Sequence, residues 1–235
     1  MRRSPLAARG YVVASLNYRL SSEAPFPAAV QDVKAAIKFL RAHSGEYGLD
    51  ITRAIVWGGS AGGHLAALTA TSCGVEEFEP VAPNPALAGS ETIEKQNDCV
   101  QGAVTWYGIF DMSALRGTHD SGDAFPPTVA RFLGCNGSVC APETLQLASP
   151  QHFVKSDTPP FLLVHGAEDK TVDPAQSVHF NEAMKAAGAS VDLVMIPGVD
   201  HSFIGHTTEA TREASLQALS RSFAFMDATF KAPSH

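Results

Sequence analysis

Residues 53–66 read RAIVWGGSAGGHLA, an apolar run followed by one serine set among four glycines and then by a stretch suited to a helix. A strand that passes straight into a helix reverses direction within a residue or two, and side chains at the bend collide with neighbouring backbone. Glycines on either side relieve that crowding. Ser60 is then expected on a sharp turn, its hydroxyl clear of the main chain, at the head of a helix whose first N–H groups lack intrahelical partners.

The same order recurs on both sides of this stretch. YVVASLN (11–17) is β-branched and aromatic enough to predict a strand. PFPAAVQDVKAAIKFLRAH follows with Val30, Val33, Ile37 and Leu40 at helical spacing. AVTWYG (103–108), FLLVHG (161–166) and VDLVMI (191–196) predict further strands, the second followed by a helix over about 174–187. A closing helix aligns Leu216, Leu219, Phe223, Met226 and Phe230. Strands that are apolar almost throughout and alternate with helices describe an α/β fold, doubly wound, with a mostly parallel sheet covered by helices on both faces. A single domain over 1–235 is expected, with irregular insertions at about 74–99 and 112–157 that read as lid or substrate loops.

Composition narrows the function. A net charge of −7 with no basic cluster argues against nucleic acid or an anionic membrane surface as partner. No apolar run approaches the roughly 20 residues that span a bilayer, and Arg9 and Gly10 interrupt the only apolar stretch near the start, so neither a transmembrane segment nor a signal peptide is read. Cys135 and Cys140 bracket a short turn and form the first candidate disulfide; Cys73–Cys99 is the second pairing considered. Asn136 heads a glycosylation sequon, relevant only to a secreted eukaryotic chain. No cysteine, histidine or carboxylate spacing suggests a metal, and no cofactor is implied.

A serine hydroxyl is a weak nucleophile until a base takes its proton. Gly58-Gly59-Ser60-Ala61-Gly62 fits the G-x-S-x-G nucleophile elbow in its strand-turn-helix context, and the N–H of Ala61 is placed to stabilise an oxyanion. The base should come from a later strand-following loop. His201, in PGVDHSF after the last strand, has that position, with His206 in reserve; His64, one helical turn past Ser60, reads as a packing residue, and His165 as a brace for its loop. For the acid, HGAEDKTVDP offers Glu168, Asp169 and Asp173; Asp169 lies in the loop itself, Asp173 stands where a helix cap belongs, and Asp111 and Asp200 are the less favoured alternatives. Trp106, Tyr107, Phe125 and Phe203 are candidates for an acyl or alcohol pocket, with core or lid packing as the alternative.

With these residues in hand, a resemblance emerges. YRLSSEAPFPAAVQDVKAAIKFLRAH, GGSAGGHLA, HGAEDKTVDPAQS and GVDHSF resemble the matching blocks of α/β-hydrolase esterases of the hormone-sensitive-lipase-like group, and LGCNGSVC…ASPQHFV…TPPFLLVHG is more similar to the bimodular feruloyl esterase type. The resemblance implies an α/β-hydrolase fold with Ser60 as nucleophile, Asp169 as acid and His201 as base. It also implies strands ahead of residue 11, the last ending in an HGG-type loop and lying between the strand at 11–17 and that at 53–58; no HGG occurs here, so an N-terminally truncated chain is expected, extracytoplasmic if its true start is missing. The expected activity is hydrolysis of small or aromatic carboxylic esters, of short-chain acyl, acetyl or feruloyl type, through an acyl-enzyme. A peptidase or amidase of the prolyl-oligopeptidase kind and a catalytically impaired fragment are the alternatives.

Overall fold

The computed structural model describes residues 6–80, 93, 95–118, 124–135 and 139–231. Four strands, β1 (Ile55–Gly59), β2 (Gly102–Trp106), β3 (Phe161–Gly166) and β4 (Val191–Ile196), form a parallel sheet in the order β1-β2-β3-β4. Their runs of Val, Ile, Leu and Phe suit strands buried on both faces. Alternate residues serve opposite sides. Ala103, Phe161 and Leu163 pack in one apolar cluster with α1 (Ala28–Ala42), α3 (Ala61–Thr71) and α6 (Ala175–Ala186). Val104, Leu162 and Val164 face a second cluster beneath α7 (Thr208–Lys231). All four strands therefore end their C-terminal loops at one edge, where Ser60, Asp169 and His201 are carried.

Three expectations need correction. Residues 11–17 join no ladder. Val12 and Val13 are 62% and 54% exposed, and the segment is clipped instead to α7, where Asp227 accepts from the Tyr11 hydroxyl (2.7 Å) and from Arg9 (2.9 Å). β-branched composition favours an extended chain, but a strand exists only where a neighbour supplies hydrogen bonds. The closing helix turns mostly small residues inward: Ala214, Ala218 and Ser222 are buried at four-residue spacing in line with Met226, the buried member of the expected face, while Leu216 is 53% exposed. Small side chains let α7 lie close against β2 and β3, which a count of large apolar residues does not reveal.

The segment 112–157, expected as irregular, holds α4 (Pro127–Leu133) and α5 (Pro142–Leu147), each begun by a proline whose missing N–H costs a first helical turn nothing. Both pack on a third apolar cluster with Met112, Leu115, Phe125 and Ala148. A one-turn helix, α2 (Ser44–Tyr47), follows α1. Both cysteine pairs are bridged, Cys73–Cys99 with Cα atoms 4.7 Å apart and Cys135–Cys140 with 4.9 Å. The Asn136 sequon and half of the 74–99 insertion lie outside the described residues.

Candidate active site

Ser60 sits between β1 and α3 at φ 54°, ψ −121°, a conformation that L residues rarely adopt. Its N–H donates to the Trp106 carbonyl at 2.9 Å, and its carbonyl accepts from His64 at 3.0 Å, so the turn is fixed from both sides. A Cβ on Gly58 would stand 2.2 Å from the Gly62 carbonyl oxygen, and one on Gly63 3.0 Å from the Trp106 oxygen, whereas one on Gly62 would meet open space. This modifies the sequence reading of the elbow: Gly58, Gly59 and Gly63 are the crowded positions, and Gly62 is not. Tyr107, Ser202 and Phe203 are the other described non-glycine residues at positive φ, and they lie in the turns after β2 and around His201. Backbone strain of this kind gathers where a site must be held in shape.

The loops after β3 and β4 complete the arrangement. His201 Nε2 lies 3.0 Å from Ser60 Oγ, and His201 Nδ1 lies 2.7 Å from Asp169 Oδ2. A carboxylate only accepts, so Nδ1 carries the proton and Nε2 presents a lone pair to the serine hydroxyl. Asp169 Oδ1 accepts from the backbone N–H groups of Thr171 (2.8 Å) and Val172 (2.9 Å). Burial alone would raise the Asp169 carboxyl, but hydrogen bonds from His165, Val172, His201 and Thr171 outweigh it and hold it at about 2. Its side chain is fully buried, while that of His201 is 18% exposed and open to an incoming ligand.

The competing residues are engaged elsewhere. Asp173 caps the start of α6 through the Ala175 N–H, Asp111 caps the turn at Ser113, and Asp200 accepts from the N–H groups of Lys170 and His201. Glu168 pairs with His206 on the surface at 3.4 Å, away from Ser60. His64 is buried with Nε2 2.7 Å from the Ala148 carbonyl, and burial, partly offset by that bond, pushes it down to about 4.

Of the four aromatic residues expected near substrate, only Tyr107 reaches the site. Its ring packs 4.6 Å from the His201 imidazole, centroid to centroid. Trp106 turns to the other face, its indole N–H donating to Ser222 in α7. Phe203 is 1% exposed in the same cluster, and Phe125 is 5% exposed under α4. These three are core residues: the alternation of β2 places Trp106, the turn around His201 turns Phe203 inward, and the apolar underside of the 112–157 segment takes Phe125. A cavity of about 540 Å³ opens beside the acid loop between Lys170 and Thr118, but Ser60 does not line it.

The one residue whose place sequence reasoning undervalued is His165. It touches Asp169 directly, and the signal was its position four residues earlier at the end of a buried strand. Cys73, Asp98 and Cys99 bring three ligand atoms within 4.8 Å of one another, yet the two sulfurs are bonded together and Asp98 is engaged by Lys34 and the Gly74 N–H. That chemistry does not fit a metal.

The chain is 35% identical to Esterase LipQ of Mycobacterium tuberculosis over 83% of its own length and 43% of that protein. It spans less than half the length of the curated relatives it matches, that esterase and the LipM and LipC proteins of the same organism among them. Among solved structures, a truncated carbohydrate esterase from gut microbiota superposes with a TM-score of 0.70 at 28% identity, over 87% of this chain and 73% of that one. A thermophilic esterase of Thermogutta terrifontis with butyrate bound gives 0.66 at 27% identity, over 93% and 73%. The BD-FAE family profile matches residues 2–184, well over half of the sequence. With a serine elbow at the C-terminal edge of a parallel sheet and a family match of that extent, the chain belongs to the BD-FAE family of α/β-hydrolase esterases.

Proposed function

We propose that this chain hydrolyses carboxylic esters through an acyl-enzyme formed on Ser60. The observation that carries the reading is the hydrogen-bonded line from Ser60 Oγ through His201 to Asp169, at 3.0 and 2.7 Å, on a strained elbow. His201 Nε2 takes the hydroxyl proton as Oγ attacks the ester carbonyl, and the buried Asp169 charge stabilises the imidazolium. The Ala61 N–H, at the first position of α3, is the donor assigned to the developing oxyanion. His201 then returns the proton to the leaving alkoxide, and water repeats the attack on the acyl group. A small acyl group is favoured by the relatives, among them a carbohydrate esterase and an esterase holding butyrate. The two bridged cysteine pairs support an oxidising compartment. Among the described residues no helix is long and apolar enough to cross a membrane.

The test is labelling by a fluorophosphonate probe, read by peptide mass spectrometry, beside turnover of p-nitrophenyl acetate and of the matching anilide. Labelling confined to Ser60, lost in S60A, with the ester far outrunning the amide is expected. An unlabelled wild-type chain would overturn the reading, and comparable amide turnover would move it to a peptidase or amidase.

A further inference from the structure

Asp169 Oδ2 receives two histidines. His201 Nδ1 stands at 2.7 Å and His165 Nε2 at 3.2 Å, from a ring wholly buried at the end of β3. The Val172 carbonyl also lies 3.0 Å from His165 Nε2. Two acceptors face that nitrogen, so it carries the ring proton. On the opposite side, His165 Nδ1 lies 2.7 Å from the Ser177 hydroxyl on α6, whose O–H then donates to the unprotonated nitrogen. The line therefore continues past the acid: Ser60, His201, Asp169, His165, Ser177. Nothing in ester hydrolysis itself calls for its second half.

The geometry points to His165 as a positioning residue that, anchored by Ser177, shares the negative charge of Asp169 and so sets how strongly that carboxylate holds a proton on His201. The physical reason is competition at one oxygen. Each N–H donated to Oδ2 draws off part of the charge that would otherwise favour the His201 imidazolium, whereas the base must be the neutral imidazole. Together with the Thr171 and Val172 N–H groups on Oδ1, His165 also fixes the carboxylate plane, so that Oδ2 meets His201 Nδ1 in line. His165 moves no proton to or from substrate. It is separated from Ser60 by two side chains.

Other ionisable groups surround His201 and stay unchanged in the variants below. Tyr107 packs on the imidazole from the loop after β2; Glu168 and Lys170 flank Asp169; Asp200 accepts from the His201 main chain; His206 pairs with Glu168 at the surface. Asp173 is engaged in capping α6. None of these donates to Asp169 Oδ2 among the described residues, where His165 and His201 are the two side chains that do.

The inference rests on the ester-hydrolase reading, and the experiment separates the two. Wild type, H165L and H165Q are compared by the pH dependence of kcat/KM on p-nitrophenyl acetate, with fluorophosphonate labelling of wild type as control. H165L removes the donor; glutamine keeps an N–H at similar reach. Expected for H165L is an acid limb moved up by about 0.5 to 1 pH unit and a rate at the plateau lowered about tenfold. H165Q should bring the limb back to within about 0.2 unit of wild type, since one donor again faces Oδ2. The limb position does not depend on the fraction of folded enzyme, so a marginal preparation still answers. If H165L yields no folded protein, S177A, which removes the anchoring donor at almost no change of volume, should move the limb in the same direction by about 0.2 to 0.5 unit. An unmoved limb in H165L, or in S177A where that variant is read, overturns the role. So does an equal shift in H165L and H165Q, which would assign the effect to packing. An unlabelled wild-type chain sinks this inference together with the ester-hydrolase reading; a labelled one with an unmoved limb sinks the role of His165 alone.

Discussion

β3 is buried at all six of its positions and β1 is only half-buried at all five of its own, and the groups that secure the loops after them differ accordingly. Around β3, Phe161 through Val164 are fully enclosed by apolar clusters on both faces, and the polar atoms at its end converge on one carboxylate, Asp169. Around β1, charge and cross-linking take over. Helix α1 buries Lys34, Lys38 and Arg41 along one side; Lys34 pairs with Asp98 and donates to the Ser72 carbonyl at 2.5 Å, Lys38 reaches Glu79, and Arg41 donates to the Asn97 carbonyl at 2.8 Å. The Cys73–Cys99 bridge ties together the chain leaving α3 and the chain entering β2. Each half holds a buried carboxylate. In one it orders chemistry, in the other it neutralises a buried lysine.

Making the same change in both halves gives the largest effects. D169N swaps the carboxylate facing His201 for an amide that cannot hold the imidazole in the required tautomer, and kcat should fall about 10⁴-fold. D98N leaves Lys34 buried without its counter-charge, and should cost about 3 to 5 kcal/mol of stability. Burial already pushes the Lys34 ammonium below its ordinary value, with Asp98 as the main opposing influence. The kcat/KM of D98N, measured well below its melting temperature, should stay within about threefold of wild type. A D98N chain that melts like wild type would show that Asp98 is not what holds Lys34 in place, and a D169N chain of ordinary activity would remove Asp169 from the chemistry.

The two disulfides sharpen the comparison at a smaller scale. The Cys73–Cys99 bridge closes a span of 26 residues and Cys135–Cys140 one of 5. Chain-entropy loss in the unfolded state scales with the logarithm of loop length, giving about 3.5 kcal/mol for the first and about 2.1 kcal/mol for the second. Replacing Cys73 and Cys99 by serine should therefore lower the melting temperature more than replacing Cys135 and Cys140. The reverse order would mean that the 112–157 segment depends on its bridge more than the nucleophile half does on its own.

This division also explains what the sequence disclosed. FLLVHG, buried at every position, and VDLVMI, half-buried at four of its six, carry their signal in apolar composition, and their limits were readable to the residue. Ser60, Asp169 and His201 were legible because a G-x-S-x-G turn and two strand-following loops restrict where such side chains can stand. YVVASLN misled because extended, β-branched chain looks the same whether or not a neighbour pairs with it, and here α7 holds it by Asp227 instead. Trp106 and Phe203 misled because a large aromatic residue near a site is equally suited to the layer beneath it. His165 could be placed at the end of its strand, but only the fold of the next seven residues brings Asp169 and the Val172 carbonyl back onto its ring.

Acid unfolding asks whether the polar convergence on Asp169 also stabilises the β3 half. The Asp169 carboxyl is held at about 2 against an ordinary 3.8, lowered by its hydrogen-bond donors despite burial. A depressed carboxylate contributes stability that is complete above its unfolded value and is lost as pH falls through its folded value. At about 1.4 kcal/mol per pH unit, the contribution is about 2 kcal/mol, present above roughly pH 4 and disappearing between about pH 4 and pH 2. Asparagine does not titrate in that window. The difference in unfolding free energy between wild type and D169N should therefore shrink by about 2 kcal/mol as pH is lowered from 5 to 2, whatever its value at neutral pH. Denaturant titrations of both chains at several pH values provide the measurement. A constant difference across the window would mean that the four donors around Asp169 fix its orientation without favouring its charge, and the β3 half would then owe its stability to apolar burial alone.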